Sequence, residues 1–161
     1  MEEIPILGVI VGKGQVKMEQ EKIKAVKKWK TPTRLKDVES FLGFANFYQY
    51  FIQNFSHIAR LLNVLKGKKD WKWEEEHQKV FDKLKEKITS QPVLSLPRRE
   101  GKFRVETDAS GHAIGEVLSQ EQNGKWKPIA FLSRTMQPVE WNYEIYNKEL
   151  LAIVEALAKW R

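Results

Sequence analysis

The sequence is poor in side chains for nucleophilic or transition-metal chemistry. It contains no cysteine, which excludes disulfides, thiol catalysis and cysteine–zinc sites. His57, His77 and His112 are the only imidazoles, and their spacing fits no metal-ligand pattern. Gly12-Lys13-Gly14-Gln15 lacks the third glycine and the long following helix of a phosphate-binding loop, so it reads as a turn. What remains is carboxylates and cations. Carboxylate oxygens suit hard ions such as Mg²⁺, but several must converge to hold one. Asp108 ends an alternating strand just before Ser110-Gly111, and on those residues alone it is a turn aspartate bonding its own backbone. Glu149, amid Leu150, Leu151 and Ile153, alone reads as a surface glutamate of a helix. Lys27, Lys28, Lys30, Lys66, Lys68 and Lys69 are free either to meet phosphates or simply to be solvated.

The cations are unevenly placed. Residues 1–100 carry 20 Lys+Arg against 13 Asp+Glu, and residues 101–161 carry 8 against 8, so the whole excess of +7 lies in the first hundred. A basic segment beside a neutral one suggests two modules, the first facing a polyanion. At 42% hydrophobic and 30% charged, the 161 residues are globular in composition, enough for one domain or two very small ones. No apolar run approaches the ~20 residues of a membrane span. Ile4 to Val11 follows Glu2 and Glu3 rather than a basic segment, unlike a signal peptide. The expectation is an intracellular protein, cytoplasmic or nuclear, with no membrane partner.

The positioning elements follow from periodicity. Ile4 to Val11, the glycine turn and the residues to Met18 predict a β-hairpin. Glu19 to Lys30 predicts a short helix ended by Thr31-Pro32-Thr33. Thr33 then stands as cap of a longer helix, Arg34 to about Gln53, with Leu35, Val38, Leu42, Ala45 and Ile52 on one stripe. Glu39, Gly43 and Phe47 fall at i, i+4 and i+8 on roughly the opposite side, so this helix is either deeply buried or uses a second face for binding. Ile58 to Leu65 and Glu74 to Thr89 predict two further helices, the latter with Glu74, Glu75 and Glu76 at its positive end. Pro92 to Gly101 reads as an extended linker. Phe103 to Asp108, Ile114 to Gln120 and Ile129 to Arg134 predict three strands, the last two joined around Asn123-Gly124, and Asn142 to Trp160 one long helix. The fold class is α+β. An N-terminal hairpin and helical module (1–91) is joined by a linker (92–101) to a three-stranded antiparallel meander and helix (102–161).

A series of short stretches then resembles the Pol polyprotein of gypsy-type LTR retrotransposons. It includes Leu7-Gly8, Val16-Lys17-Met18, Glu21-Lys22-Ile23, Thr31-Pro32-Thr33, the run Ser40 to Tyr48, and Phe51-Ile52. It continues through Pro92-Val93-Leu94, Thr107-Asp108-Ala109-Ser110, Gly115, Val117 to Gln120, Asn142-Tyr143 and Lys148 to Ile153. Order and spacing match across nearly the whole chain. The resemblance implies the end of a reverse-transcriptase palm, then thumb and connection, then the N-terminal half of a ribonuclease H domain. No Tyr-x-Asp-Asp occurs here, so DNA synthesis by this chain alone is excluded.

The resemblance also assigns roles. Asp108 and Glu149 match two of the family's four ribonuclease H carboxylates, which hold a pair of Mg²⁺ ions. Two carboxylates make a poor two-metal site, so the expectation is a catalytically incomplete chain without stably bound Mg²⁺. Leu7-Gly8 resembles the primer-grip turn, and Glu39, Gly43 and Phe47 the thumb-helix face that follows the minor groove. The implied partner is RNA–DNA hybrid or duplex DNA, read by shape and charge. In the family a fourth strand lies along the first strand of the ribonuclease H sheet. Without it, Phe103 to Asp108 is an edge open to self-association. Glu116, Asn147 and Leu61 depart from the family pattern, where a small residue, Asp and Pro are usual. Two other readings stand beside this one: a domesticated protein-interaction module, and a ribonuclease H completed by another chain.

Overall fold

A computed structural model describes residues 2–67, 71–90 and 93–160. Lys68, Lys69 and Pro92, singled out above, lie outside the described residues.

The β-branched N-terminal run does not form one strand. It breaks into β1 (Ile4–Ile6) and β2 (Val9–Gly12), because Leu7 and Gly8 both take positive φ, 48° and 89°. With Ile6 paired to Val9, these two residues form a tight hairpin turn of the primed kind, whose twist matches that of the strands. A second two-residue turn at Lys13-Gly14, φ 50° and 73°, leads into β3 (Gln15–Met18). The expected hairpin is thus a three-stranded meander, and β4 (Val93–Ser95) adds antiparallel to β3.

Among the described residues four α-helices follow β3 before β4. They are α1 (Gln20–Lys27), α2 (Leu35–Phe47), α3 (Phe55–Leu65) and α4 (Glu75–Thr89). Thr33 does not cap α2. Instead the Asp37 carboxylate accepts from the Thr33 amide and hydroxyl, each at 3.1 Å. α2 stops at Phe47, six residues short of the expected end, and gives way to a single tight turn at Gln49–Phe51. Asn54, at φ 57°, then redirects the chain into α3; asparagine tolerates that left-handed backbone better than most residues. Val38, Phe41, Leu42 and Ala45 of α2 join Phe55, Ile58, Leu62, Phe81, Leu84 and Ile88 in one core. Phe41 and Phe81 meet at 4.5 Å between ring centres, and Trp29 packs edge-on to Phe41 at 5.5 Å.

The second sheet is β5 (Phe103–Ala109), β6 (Ala113–Gln122) and β7 (Lys125–Thr135), in that spatial order, so β5 is an edge among the described residues. The last turn, Asn123-Gly124, has φ 55° and 72°. α5 (Ile145–Lys159) packs on β5 and β6 through Ala152 and Ala156, with Ile114, Met136 and Leu151 around Ala152. α3 packs on β6 and β7 from the other side. There Ser133 Oγ accepts from the Ser56 amide at 2.8 Å, whereas the next residue, Arg134, bonds Glu155 of α5.

The segment read as a linker is extended but anchored at both ends. Gln120, fully buried, accepts from the Arg98 amide at 2.8 Å and donates to the carbonyls of Arg98 and Glu100 at 2.9 and 3.0 Å. Gln122 donates to the Leu96 carbonyl at 2.9 Å, and the Leu96 amide donates to Gly14 O. Buried amide side chains thereby satisfy a backbone that no strand pairs.

Candidate nucleic-acid interface

The Leu7–Gly8 turn and the second face of α2 meet at one groove. Gly8 O accepts two hydrogen bonds at 3.1 Å, one from the Tyr48 hydroxyl and one from the Glu19 amide. A groove of about 480 Å³ is lined by Leu7, Gly8, Glu19, Lys22, Phe44, Phe47 and Tyr48. Leu7 stands at its rim, 85% exposed. Tyr48 is buried beneath it, and burial, with Glu19 nearby, raises its hydroxyl pKa above the ordinary value, so it stays a neutral donor.

Glu39, Gly43 and Phe47 are all exposed on α2. A Cβ built on Gly43 would meet nothing within 4 Å, and Phe47 is 55% exposed while resting edge-on against Tyr48 at 4.9 Å. This side of α2 therefore packs against no other helix among the described residues. Lys22 brings one cation to the groove. Lys27, Lys28, Lys30 and Lys66 are exposed and form no ion pair with a described residue. Lys85 is committed elsewhere: its ammonium donates to Trp29 O at 2.7 Å and lies over the Phe81 ring. Sequence reasoning gave no site role to Tyr48, Glu19 or Lys22, although Tyr48 and Lys22 both stand in the quoted stretches.

The carboxylates are arranged differently. Asp108, exposed at the end of β5, borders a cavity of about 140 Å³ shared with Asn54, His57, Ser110, Ala113, Ile114 and Gly115. Glu149 is exposed on α5 and is not among the residues lining that cavity. Among the described residues no group of three or more His, Cys, Asp or Glu could hold a metal ion. The donor set present does not fit a two-ion centre.

A third cluster has no sequence motif. Glu116, only 5% exposed on β6, shares a cavity of about 430 Å³ with Arg134 and Glu155. Burial raises its pKa to about 6, Glu155 adds to the rise, and Arg134 opposes it. Arg134 is clamped between Glu155 and Glu140, donating to Glu140 through both terminal nitrogens at 2.7 and 2.9 Å.

Residues 73–161 match the family described as the RNase H-like domain found in reverse transcriptase, and the chain belongs to it. The match begins at Trp73 and so takes in α4, β4, the second sheet and α5. Over 99% of its length the chain is 41% identical to the Pol polyprotein from transposon 297 of Drosophila melanogaster. It is 38% identical over 98% to that from transposon gypsy of the same fly. It spans only 15% and 16% of those polyproteins. Among solved structures, foamy viral protease-reverse transcriptase in complex with dsDNA superposes with a TM-score of 0.83 at 25% identity, covering 99% of this chain and 34% of that one. The same viral protein in complex with RNA/DNA hybrid gives 0.81, also at 25%, covering 98% and 22%. The α+β architecture and the resemblance to gypsy-type Pol polyproteins thus hold. No helix of the described residues is long and apolar enough to cross a membrane.

Proposed function

We propose that the chain binds RNA–DNA hybrid and duplex DNA as a non-catalytic part of a reverse-transcriptase polyprotein. One observation carries this: Leu7-Gly8 and Phe47, distant in sequence, border one open groove, and Tyr48 ties its two sides together. An apolar rim, an aromatic face and a helix side bare at Gly43 suit a duplex minor groove, where sugars and shape are read rather than base identity. The similar foamy viral structures with duplexes support the reading. Asp108 and Glu149 keep the family positions without chemistry: no hydrolysis and no stable Mg²⁺ are assigned to them. The proposed modules are 1–91 and 102–161, with 92–101 between.

Anisotropy of a labelled hybrid tests this. Phosphate contacts release counterions, so affinity falls steeply between about 50 and 200 mM salt. Phe47→Ala weakens binding by about tenfold while the circular dichroism is unchanged, since covering this half-exposed ring against sugars removes apolar area from water worth ~1–2 kcal/mol. Salt-independent binding, or a Phe47→Ala chain that binds as well as wild type, overturns the assignment.

A further inference from the structure

The cavity between α5 and β7 holds a carboxylate that nothing in the described chain bonds. Glu116 is 5% exposed, yet it makes no hydrogen bond with any described residue. Among the described residues no side-chain oxygen or nitrogen is both sealed from the surface and unbonded, so the Glu116 carboxylate opens onto the cavity of about 430 Å³. Arg134 lines the same cavity but has no donor left to give. Its Nε donates to both oxygens of Glu155 at 3.0 and 2.8 Å. Its Nη1 donates to Glu140 at 2.7 Å and to Thr135 O at 3.2 Å, and its Nη2 to Glu140 at 2.9 Å and to Glu155. These contacts use all five N–H groups of a guanidinium.

The charges around the cavity select what enters it. Glu116, Glu140 and Glu155 stand around the single guanidinium of Arg134, so negative charge is in excess. Lys159, exposed at the end of α5, lines the cavity without an ion pair to any described residue, and Thr107, opposite Glu116 on β5, is uncharged. A carboxylate buried without a donor is costly to ionise, and the Glu116 pKa of about 6 reflects that burial. The rest of the lining includes the apolar Leu132 and Ala158. Walls of that kind supply no oxygens to replace the water of a hydrated Mg²⁺, and no group of three or more acidic or imidazole side chains among the described residues could hold a metal ion. An ammonium on an alkyl chain fits better: its three donors suit the carboxylate oxygens and its carbons the apolar walls.

We infer that this cavity binds a primary alkylammonium, with the charged end on Glu116 and Glu155 and the carbon chain between Leu132 and Ala158. The site shares no lining residue with the Leu7–Phe47 groove and stands independently of duplex binding. It is built from β6, β7 and α5, on the side of the sheet away from the β5 edge. Glu116 also departs from the family pattern, in which a small residue at this position would bring no charge to the cavity.

The test is an NMR titration of the full chain with n-butylammonium chloride at about pH 7.5, where Glu116 is ionised. Sodium chloride at equal ionic strength and n-butanol are the controls. Saturable shifts of the Glu116, Leu132 and Ala158 amides are expected with butylammonium alone. Glu116→Gln, with circular dichroism to check the fold, weakens binding by about tenfold or more, because hydrogen bonds to a charged group are lost. Ala158→Leu keeps the carboxylate, fills the cavity and weakens binding as well. Lowering the pH to about 5 protonates Glu116 and weakens binding to the wild type, while the Glu116→Gln chain is unaffected. Spermidine and Nα-acetyl-lysine amide carry the same group; tighter binding of the first assigns the site to a free polyamine, and of the second to a lysine side chain. Equal shifts with sodium, saturable shifts with butanol, or a Glu116→Gln chain that binds butylammonium as well as wild type each overturn the inference.

Discussion

The Tyr48 hydroxyl donates to Gly8 O at 3.1 Å across 40 residues of sequence, fixing the Leu7–Gly8 turn to the end of α2. Gly8, at φ 89°, has no room for a side chain: a Cβ there would stand 2.6 Å from Tyr48 Oη. The groove depends on a glycine that lets the tyrosine approach and a tyrosine that fills the space.

Gly8→Ala is expected to cost about 1–3 kcal/mol in urea unfolding, combining left-handed backbone strain with the clash. Tyr48→Phe costs about 1 kcal/mol, one hydrogen bond, while the Glu19 amide still satisfies Gly8 O. The double variant is less destabilised than the sum, because removing the hydroxyl removes the clash. Strict additivity would place the two residues apart.

Gln120→Ala leaves the Arg98 amide and the Arg98 and Glu100 carbonyls without their partner. The expected loss is about 1–3 kcal/mol in urea unfolding, because Gln120 is buried while Arg98 and Glu100 are exposed, so water reaches part of the freed backbone. A near-neutral outcome would mean that water takes the place of the amide.

Glu116 makes stability depend on pH. Its pKa is about 6 in the folded chain against the ordinary 4.5. Below about pH 4.5 the carboxyl is neutral in both states; as pH rises through about 6 the folded chain must ionise it under burial, and stability falls. The loss, about 2 kcal/mol at pH 8, follows from the difference in pKa. Glu116→Gln removes this dependence, so the variant gains on wild type between pH 4 and 8 by that amount. Parallel pH profiles for the two chains would show Glu116 to be solvated.

With Mg²⁺ present, no cleavage of the RNA strand of a hybrid is expected from this chain, and Asp108→Asn changes nothing in a gel assay. Cleavage abolished by Asp108→Asn would show that a second chain or another carboxylate completes the site.

Local pattern was enough for much of this protein. The periodicity of Val80, Phe81, Leu84 and Ile88 marks α4, the glycines after Lys13 and Asn123 mark two turns, and alternation from Phe103 to Asp108 marks β5. Spacing alone also put Glu39, Gly43 and Phe47 on one side of a helix, and the quoted motifs carried the family. All of these are properties of neighbours within a few residues, where backbone geometry is nearly fixed. Tertiary structure decided what distant residues do to one another. That Leu7 sits at αL and splits a strand depends on Gly8 being held by Tyr48. That residues 96–101 are anchored depends on Gln120 and Gln122 being buried beneath them. That Glu116 sits in a low-dielectric pocket beside Glu155 depends on where α5 lands. No periodicity encodes those outcomes, because burial and partner choice are set by how whole elements pack, not by the residues adjacent in the chain.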